Sequence, residues 1–294
     1  MKAPLTKYAR GIASHLPCLL LLIAATIPVF SQSAAKPQTA PGETGGANLP
    51  AHASKTQIDS SIPDDSSVDE MVARFSPRVR ELENVIGRVK RGDLRKGGIG
   101  AGTLGNFVTD GILFAARQKL GNSVVLAVTN AGGLRKNAIS EGDLLQRDIF
   151  ELLPFENALV TFDLTGAQVL SLLKQVVSHR DAQAGARIKY VNDANNRPQL
   201  QSAHLLVDGK EVEIDPAAVY RVICIDYLWK RNAVGGSDTE GNYSILNQAR
   251  KFEPLGLTIR DAIIDFVKRE TAAGRDIKPN LDDRFMLATA GGTQ

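Results

Sequence analysis

Between residues 67 and 89 the apolar side chains Val68, Met71, Val72, Phe75, Val79, Leu82, Val85 and Ile86 recur every three or four positions. That period predicts helix, either as two short pieces or as one helix kinked at Pro77, which has no N–H for the ladder. Gly92, Gly97, Gly98, Gly100 and Gly102 then mark a loop. Beyond it helical and strand patterns alternate. Leu104, Phe107, Val108, Ile112 and Ala115 keep helical spacing, and residues 124–128 form a short β-branched run suited to a buried strand. Val160, Phe162 and Leu164 alternate as a strand does. Thr165 and Gln168 follow as a capping-box pair, ahead of Val169, Leu172, Leu173, Val176 and Val177 on one helical face.

Ile188 and Tyr190 point to another strand, and the apolar stretches 205–207 and 212–214 flank Asp208-Gly209, a dipeptide suited to a two-residue hairpin turn. A strand is expected over 219–225. The last helix opens near Thr258, with Ile259, Ala262, Ile263, Phe266 and Val267 on its apolar face. No internal repeat is visible. The sum is one mixed α/β domain of about 200 residues, a size that supports its own core.

The N-terminal part reads differently. Lys2, Lys7 and Arg10 precede an apolar run over 16–30, and Ser31, Ser33, Ala34 and Ala35 follow it, the order of a secretory signal. Pro17 and Pro28 interrupt the run, which is shorter than the about 20 residues of a spanning helix. Export with cleavage is the expectation, and a retained anchor is the alternative. Residues 32–66 are rich in Pro, Gly, Ala, Ser and Thr and are expected to form a flexible tether. The expected division is therefore 1–31 signal peptide, 32–66 tether and 67–290 folded domain, the last led by the helical segment 67–89.

Removing the signal changes the charge. Residues 1–31 hold three of the 35 basic side chains and none of the 32 acidic ones, which leaves 32 against 32. A neutral mature chain lacks the cationic excess that releases counterions from nucleic acid, so nucleic acid is not expected as a partner. No membrane partner is expected once the signal is gone. Cys18 leaves with the signal, and Cys224, among Val222, Ile223 and Ile225, is expected to be a buried small hydrophobe with no disulfide.

Chemistry concentrates in the middle of the chain. Asn130-Ala131-Gly132-Gly133-Leu134-Arg135 follows the apolar run 124–128. It reads either as a strand end opening into a glycine loop whose N–H groups can approach an anion beside a fixed cation, or as a tight turn with a solvated Arg. Further on stand Leu152-Leu153-Pro154-Phe155-Glu156-Asn157, a strand, and Thr165-Gly166. Phe155 suits either stacking on a ring or packing behind a proline.

Taken in this order and spacing, with Leu104-Gly105-Asn106-Phe107-Val108-Thr109-Asp110 upstream and Gly142-Asp143 between, these motifs resemble the C-terminal domain of the 5'-nucleotidase family over roughly residues 85–290. The resemblance implies a four-layer α/β/β/α (α+β) arrangement that grips a nucleotide while a separate metallophosphatase domain hydrolyses it. Carried over, Asn130 and Arg135 face the phosphate, Gly132 and Gly133 shape the loop, Phe155 stacks on the base and Asn157 bonds its edge. Tyr227 is implied as the second ring and Asp238 as the ribose carboxylate, with Trp229 either a substitute ring or a packed residue. Two departures stand out. Leu94-Arg95-Lys96 stands where the family often has an Arg pair, so at most one cation is retained, and Glu156 replaces a customary Gly, which disfavours highly charged ligands.

The family's hydrolysis uses two metal ions held by Asp, His and Asn. Of the four histidines, His15 lies in the signal and His52 in the tether, while His179 and His204 read as surface or hairpin residues. No cofactor is therefore expected in this chain; divalent metals are expected only on a separately encoded metallophosphatase partner. The implied function is an exported nucleotide-recognition domain, the substrate-binding half of a split nucleotidase with no catalytic residues of its own. The alternatives are a non-catalytic nucleotide or nucleoside binder and a structural relic.

Overall fold

The computed structural model describes residues 55, 57, 59–233 and 243–288. The chain divides into two units, Met1–Ile62 and Pro63–Gln294. In the first, the Asp59 carboxylate accepts from the Ser61 N–H and hydroxyl at 2.9 and 2.6 Å and closes a turn.

The second unit opens with α1 (Ser66–Glu81), started by Asp65, whose side chain accepts from the Ser67 N–H at 2.8 Å. Pro77 lies inside this helix without ending it, and none of its residues is buried. The helical pattern read through to residue 89 is corrected here: α1 stops at Glu81, and β1 (Val85–Val89) is a strand paired antiparallel with residues 142–145. Val85, Ile86 and Val89 suit either periodicity, and the partner strand settles it. After β2 (Leu94–Arg95) comes α2 (Gly102–Leu120), which buries Leu104, Phe107, Val108, Ile112 and Ala115, as their spacing requires.

Next in order come β3 (Val124–Thr129), β4 (Ala138–Ile139), β5 (Gly142–Leu145), α3 (Gln146–Leu152), β6 (Ala158–Thr165) and α4 (Gly166–His179). The Thr165 capping box forms: its N–H donates to Gln168 Oε1 at 2.8 Å and its hydroxyl accepts from the Gln168 N–H at 3.3 Å. Then follow β7 (Ala182–Ala184), β8 (Ala186–Asn192), β9 (Pro198–Val207), β10 (Lys210–Glu213), β11 (Val219–Ile225), α5 (Asp226–Ala233), β12 (Lys251–Thr258), α6 (Ile259–Ala272) and β13 (Phe285–Leu287). Asp208 and Gly209 take φ of 50° and 75° in the hairpin turn between β9 and β10.

Two larger sheets organise these elements. One has the order β12-β6-β11-β3-β7, the other β10-β9-β8-β13. They meet at Gly185, between β7 and β8, whose φ is +109° and where a Cβ would stand 2.0 Å from the Val125 carbonyl oxygen, so only glycine fits. Helix α2 packs along β3 and β7 and against α6, while α4 packs against both sheets, on β6, β11 and β9. The mixed α/β class read from the sequence is therefore the class observed, with helices and sheets stacked in layers. Cys224 lies near the carboxyl end of β11, 1% exposed, where burial pushes its thiol pKa up.

The register of the larger sheet positions the site. β11 runs parallel to β3, with Cys224 beside Val128, and antiparallel to β6, with Ile225 beside Leu159. The carboxyl ends of β3 and β11 and the start of β6 consequently emerge side by side, which is where open α/β sheets bind ligands.

Candidate functional site

Three segments leave those strand ends. From β3 the chain enters the turn 130–135, in which the Gly133 N–H donates to the Asn130 carbonyl at 3.1 Å and the Leu134 N–H to the Ala131 carbonyl at 3.2 Å. Neither Gly132 nor Gly133 adopts a positive φ. A Cβ on Gly133 would stand 2.8 Å from Asn130 Oδ1, so a side chain there would displace the carboxamide, whereas Gly132 has room for one. Asn130 Oδ1 is buried and makes no hydrogen bond among the described residues. The Arg135 N–H donates to the Leu152 carbonyl at 2.9 Å, which ties the turn to the segment before β6.

That segment carries Phe155 and Asn157. Phe155 is 51% exposed, a large ring kept out of the core by the geometry around it. Arg260, 8% exposed at the start of α6, donates from Nε to the Leu153 carbonyl at 3.1 Å and from Nη2 to the Pro154 carbonyl at 2.9 Å. Its guanidinium also lies over the Phe150 ring at 4.2 Å. The Asn157 carbonyl accepts from the Ile259 N–H at 2.9 Å, and the Ala158 N–H donates to Asp226 Oδ1 at 3.1 Å. Arg260 was not read from the sequence, because a cation beside Ile259 on a helix gives no local sign of partners a hundred residues earlier. Arg260→Ala is expected to lower the unfolding free energy by about 2–3 kcal/mol, since charged donors would be lost from two carbonyls. Urea denaturation measures this, and an unchanged midpoint would remove Arg260 as the anchor of Phe155.

The pieces face one recess. Gly133, Phe155 and Asn157 line it together with Thr129, Ile225 and Ile259. The Arg135 guanidinium carbon stands 6.0 Å from the Phe155 ring centroid, at the edge of cation–π range, and both side chains are exposed. A second cation joins them: Lys96 Nζ donates to the Leu134 carbonyl at 2.9 Å. Burial depresses the Lys96 pKa, the nearby Arg135 depresses it further and Asp181 works against both. Arg95, its neighbour, turns away to Asp93 at 2.6 Å, so Lys96 is the single cation this segment contributes. Glu156, expected to oppose an anion, is exposed and lies 3.8 Å from Arg260.

Beneath the turn sits Asp181, 4% exposed, which accepts from the Ala131 N–H and from the Tyr243 hydroxyl, both at 2.7 Å. Burial raises its pKa, and the bonds from Tyr243 and Ala131 work in the opposite direction. Tyr243 itself is fully buried. His179, read as a surface or hairpin residue, is half-buried at the end of α4: its Nδ1 is 3.9 Å from Asp181 and its ring meets Tyr243 edge-on at 5.4 Å. His204 lies on the β9–β10 hairpin facing Glu211 at 3.9 Å.

Tyr227 is 37% exposed in the first turn of α5, two residues past Ile225 of the recess. Trp229 packs against Phe252 at 4.6 Å and Phe162 at 6.2 Å, which makes it a packing residue. Asp238 lies outside the described residues. Among the described residues no group of three or more His, Cys, Asp and Glu side chains is placed to hold a metal ion, so they do not fit a binuclear centre.

Fold and site together define a mixed α/β domain with a recess at its strand ends, edged by a glycine turn, two cations and an exposed aromatic ring. Residues 82–234 match the family described as 5'-nucleotidase, C-terminal domain, and the chain belongs to that family. Among curated relatives, it is 29% identical over 190 residues to the trifunctional nucleotide phosphoesterase protein YfkN of Bacillus subtilis, covering 62% of this chain and 12% of that protein. It is 29% identical over 126 residues to protein UshA of Escherichia coli, covering 43% and 22%. The 5'-nucleotidase precursor from Thermus thermophilus has the same fold, with a TM-score of 0.61 at 24% identity over 78% of this chain and 44% of that one. The NAD nucleotidase of Haemophilus influenzae gives 0.54 at 20%, over 76% and 42%. The chain thus spans less than half the length of each of these proteins.

Proposed function

We propose that this chain is an exported nucleotide-recognition domain, with 1–31 as signal peptide, 32–66 as tether and 67–290 as the binding domain. The observation that carries the reading is the 6.0 Å approach of Arg135 to Phe155 at the mouth of one recess. Arg135 and Lys96 hold the phosphate over the turn formed by Asn130, Gly132 and Gly133. Phe155 and Tyr227 sandwich the base, Asn157 bonds its edge, and Asp238 takes the ribose. A guanidinium forks onto phosphate oxygens, and a ring face gains about 1–3 kcal/mol from a stacked base. Export is supported by the leader's pattern and by a relative at 25% identity over 191 residues, the cell wall protein Lmo0130 of Listeria monocytogenes.

Hydrolysis, in this proposal, is supplied by a separately encoded metallophosphatase, whose metals activate water and clamp the phosphate. The family match over 82–234 supports the nucleotide-recognition half of this reading. Calorimetry with nucleoside, monophosphate and triphosphate tests the binding. Arg135→Ala is expected to weaken the monophosphate by about 10- to 100-fold and spare the nucleoside, whereas Phe155→Ala weakens both. Unchanged affinity in both variants would dismiss the assignment. Mixing with the metallophosphatase then tests the pairing: no gain in hydrolysis over the phosphatase alone leaves a non-catalytic binder.

A further inference from the structure

Helix α1 is built as though it had a core to face. Val68, Met71, Val72, Phe75 and Val79 follow helical spacing along one stripe, yet they are 51, 58, 57, 59 and 57% exposed. No residue of α1 is buried, so the domain's own core does not use the stripe. An apolar ridge of this kind on an exported domain calls for a partner surface.

We propose that the partner is the α1 of a second copy of this chain, packed antiparallel across a two-fold axis. The helix's own sequence argues for it. Val68 and Val79 lie equally far from the helix midpoint, as do Val72 and Phe75. A two-fold rotation therefore sets Val68 on Val79 of the second copy and Val72 on its Phe75, which makes the stripe self-complementary. The charges follow the same symmetry. The amino-terminal half carries Asp69 and Glu70 behind the cap Asp65, and the carboxyl-terminal half carries Arg74, Arg78 and Arg80 against one acid, Glu81. Antiparallel packing places acidic halves against basic halves, with Asp69 on the flank of the stripe that the second copy's Arg80 occupies. Parallel packing would stack like on like. The helix dipoles favour the same choice. Pro77 lies about 200° round the helix from Phe75, at about 100° per residue, so its missing N–H stays outside the contact.

Two helices about 24 Å long bury less than the roughly 1,200 Å² of a standard interface, so the dimer dissociates on dilution. This proposal stands independently of the nucleotide reading.

Sedimentation velocity of the full exported chain from about 1 to about 100 µM tests it. The expected result is a dimer that grows with concentration and a Phe75→Glu variant that stays monomeric with an unchanged melting temperature. Asp69→Arg is expected to raise the dissociation constant about tenfold, and adding Arg80→Asp to restore it. A wild-type chain monomeric at the highest concentration, or a dimer that survives Phe75→Glu, overturns the proposal. So does a monomer that sediments with anionic phospholipid vesicles, which would assign the stripe to a membrane surface.

Discussion

Asp181→Ala is expected to lower the unfolding free energy by about 2–5 kcal/mol and to loosen the turn that carries Asn130 and Arg135. The carboxylate holds the Ala131 N–H and the Tyr243 hydroxyl, and each group left unsatisfied in the interior costs about 1–3 kcal/mol. Equilibrium urea unfolding measures the first effect, and faster hydrogen exchange at the Ala131 amide measures the second. The loss also carries a pH signature. Burial raises the Asp181 pKa above the ordinary carboxylate value, with Tyr243, Ala131, His179 and Lys96 offsetting part of the shift. Between the unfolded and the folded values the native state holds the proton more firmly than the unfolded chain does. Asp181 therefore contributes most at acidic pH, and its contribution shrinks as pH rises through the folded value. The stability gap between wild type and Asp181→Ala should be wider below the ordinary carboxylate value than at neutral pH. A gap that widens with pH would mean that the ionised form is the one the pocket favours.

Asp181 shows where sequence reading ends. Elements whose logic is local were legible: the Thr165–Gln168 capping box, the Asp208–Gly209 turn and the β11 strand all appear where the pattern placed them. The loops that carry Asn130, Arg135, Phe155 and Asn157 were legible as loops, because the apolar runs of β3 and β6 flank them, whereas the roles given to those residues came from the family resemblance. β1 was not legible, since Val85, Ile86 and Val89 satisfy a helical period as well as a strand, and β5, which decides between them, lies more than fifty residues away. Tyr243 is wholly buried with its hydroxyl on Asp181, a partner sixty-two positions earlier that no local pattern announces. The sequence placed at most one retained cation in Leu94-Arg95-Lys96 without choosing between Arg95 and Lys96, and Arg260 carries no mark that separates it from a solvated cation. The meaning of Lys96 and Arg260 comes from the carbonyls of Leu134, Leu153 and Pro154, which only the folded chain brings within reach.

Arg284→Ala separates stability from recognition. The guanidinium, 6% exposed, holds Asp282 through Nε at 2.8 Å and Asp110 through Nη1 at 2.9 Å, and Nη1 also donates to the Gln183 carbonyl at 3.1 Å. One side chain thereby fastens α2, the β7 edge and the segment leading into β13. Breaking a buried pair costs about 3–5 kcal/mol, but Asp110 and Asp282 keep 40 and 29% of their side-chain exposure and can rehydrate. The expected loss is therefore nearer to about 3 kcal/mol, a large share of the roughly 5–15 kcal/mol that holds a domain together. Arg284→Lys keeps a charge but not the planar fork, so it should fall between the two. The cluster lies by the Gly185 junction, next to Val125 at the amino end of β3, whereas the glycine turn leaves the carboxyl end after Thr129. Nucleotide affinity per folded molecule should therefore be unchanged in Arg284→Ala at a temperature where the variant remains folded. Calorimetry on the folded protein, paired with urea unfolding, reads both quantities. If affinity fell in step with stability, the two ends of β3 would be coupled and the recess could not be treated as a site preformed by its own strand ends.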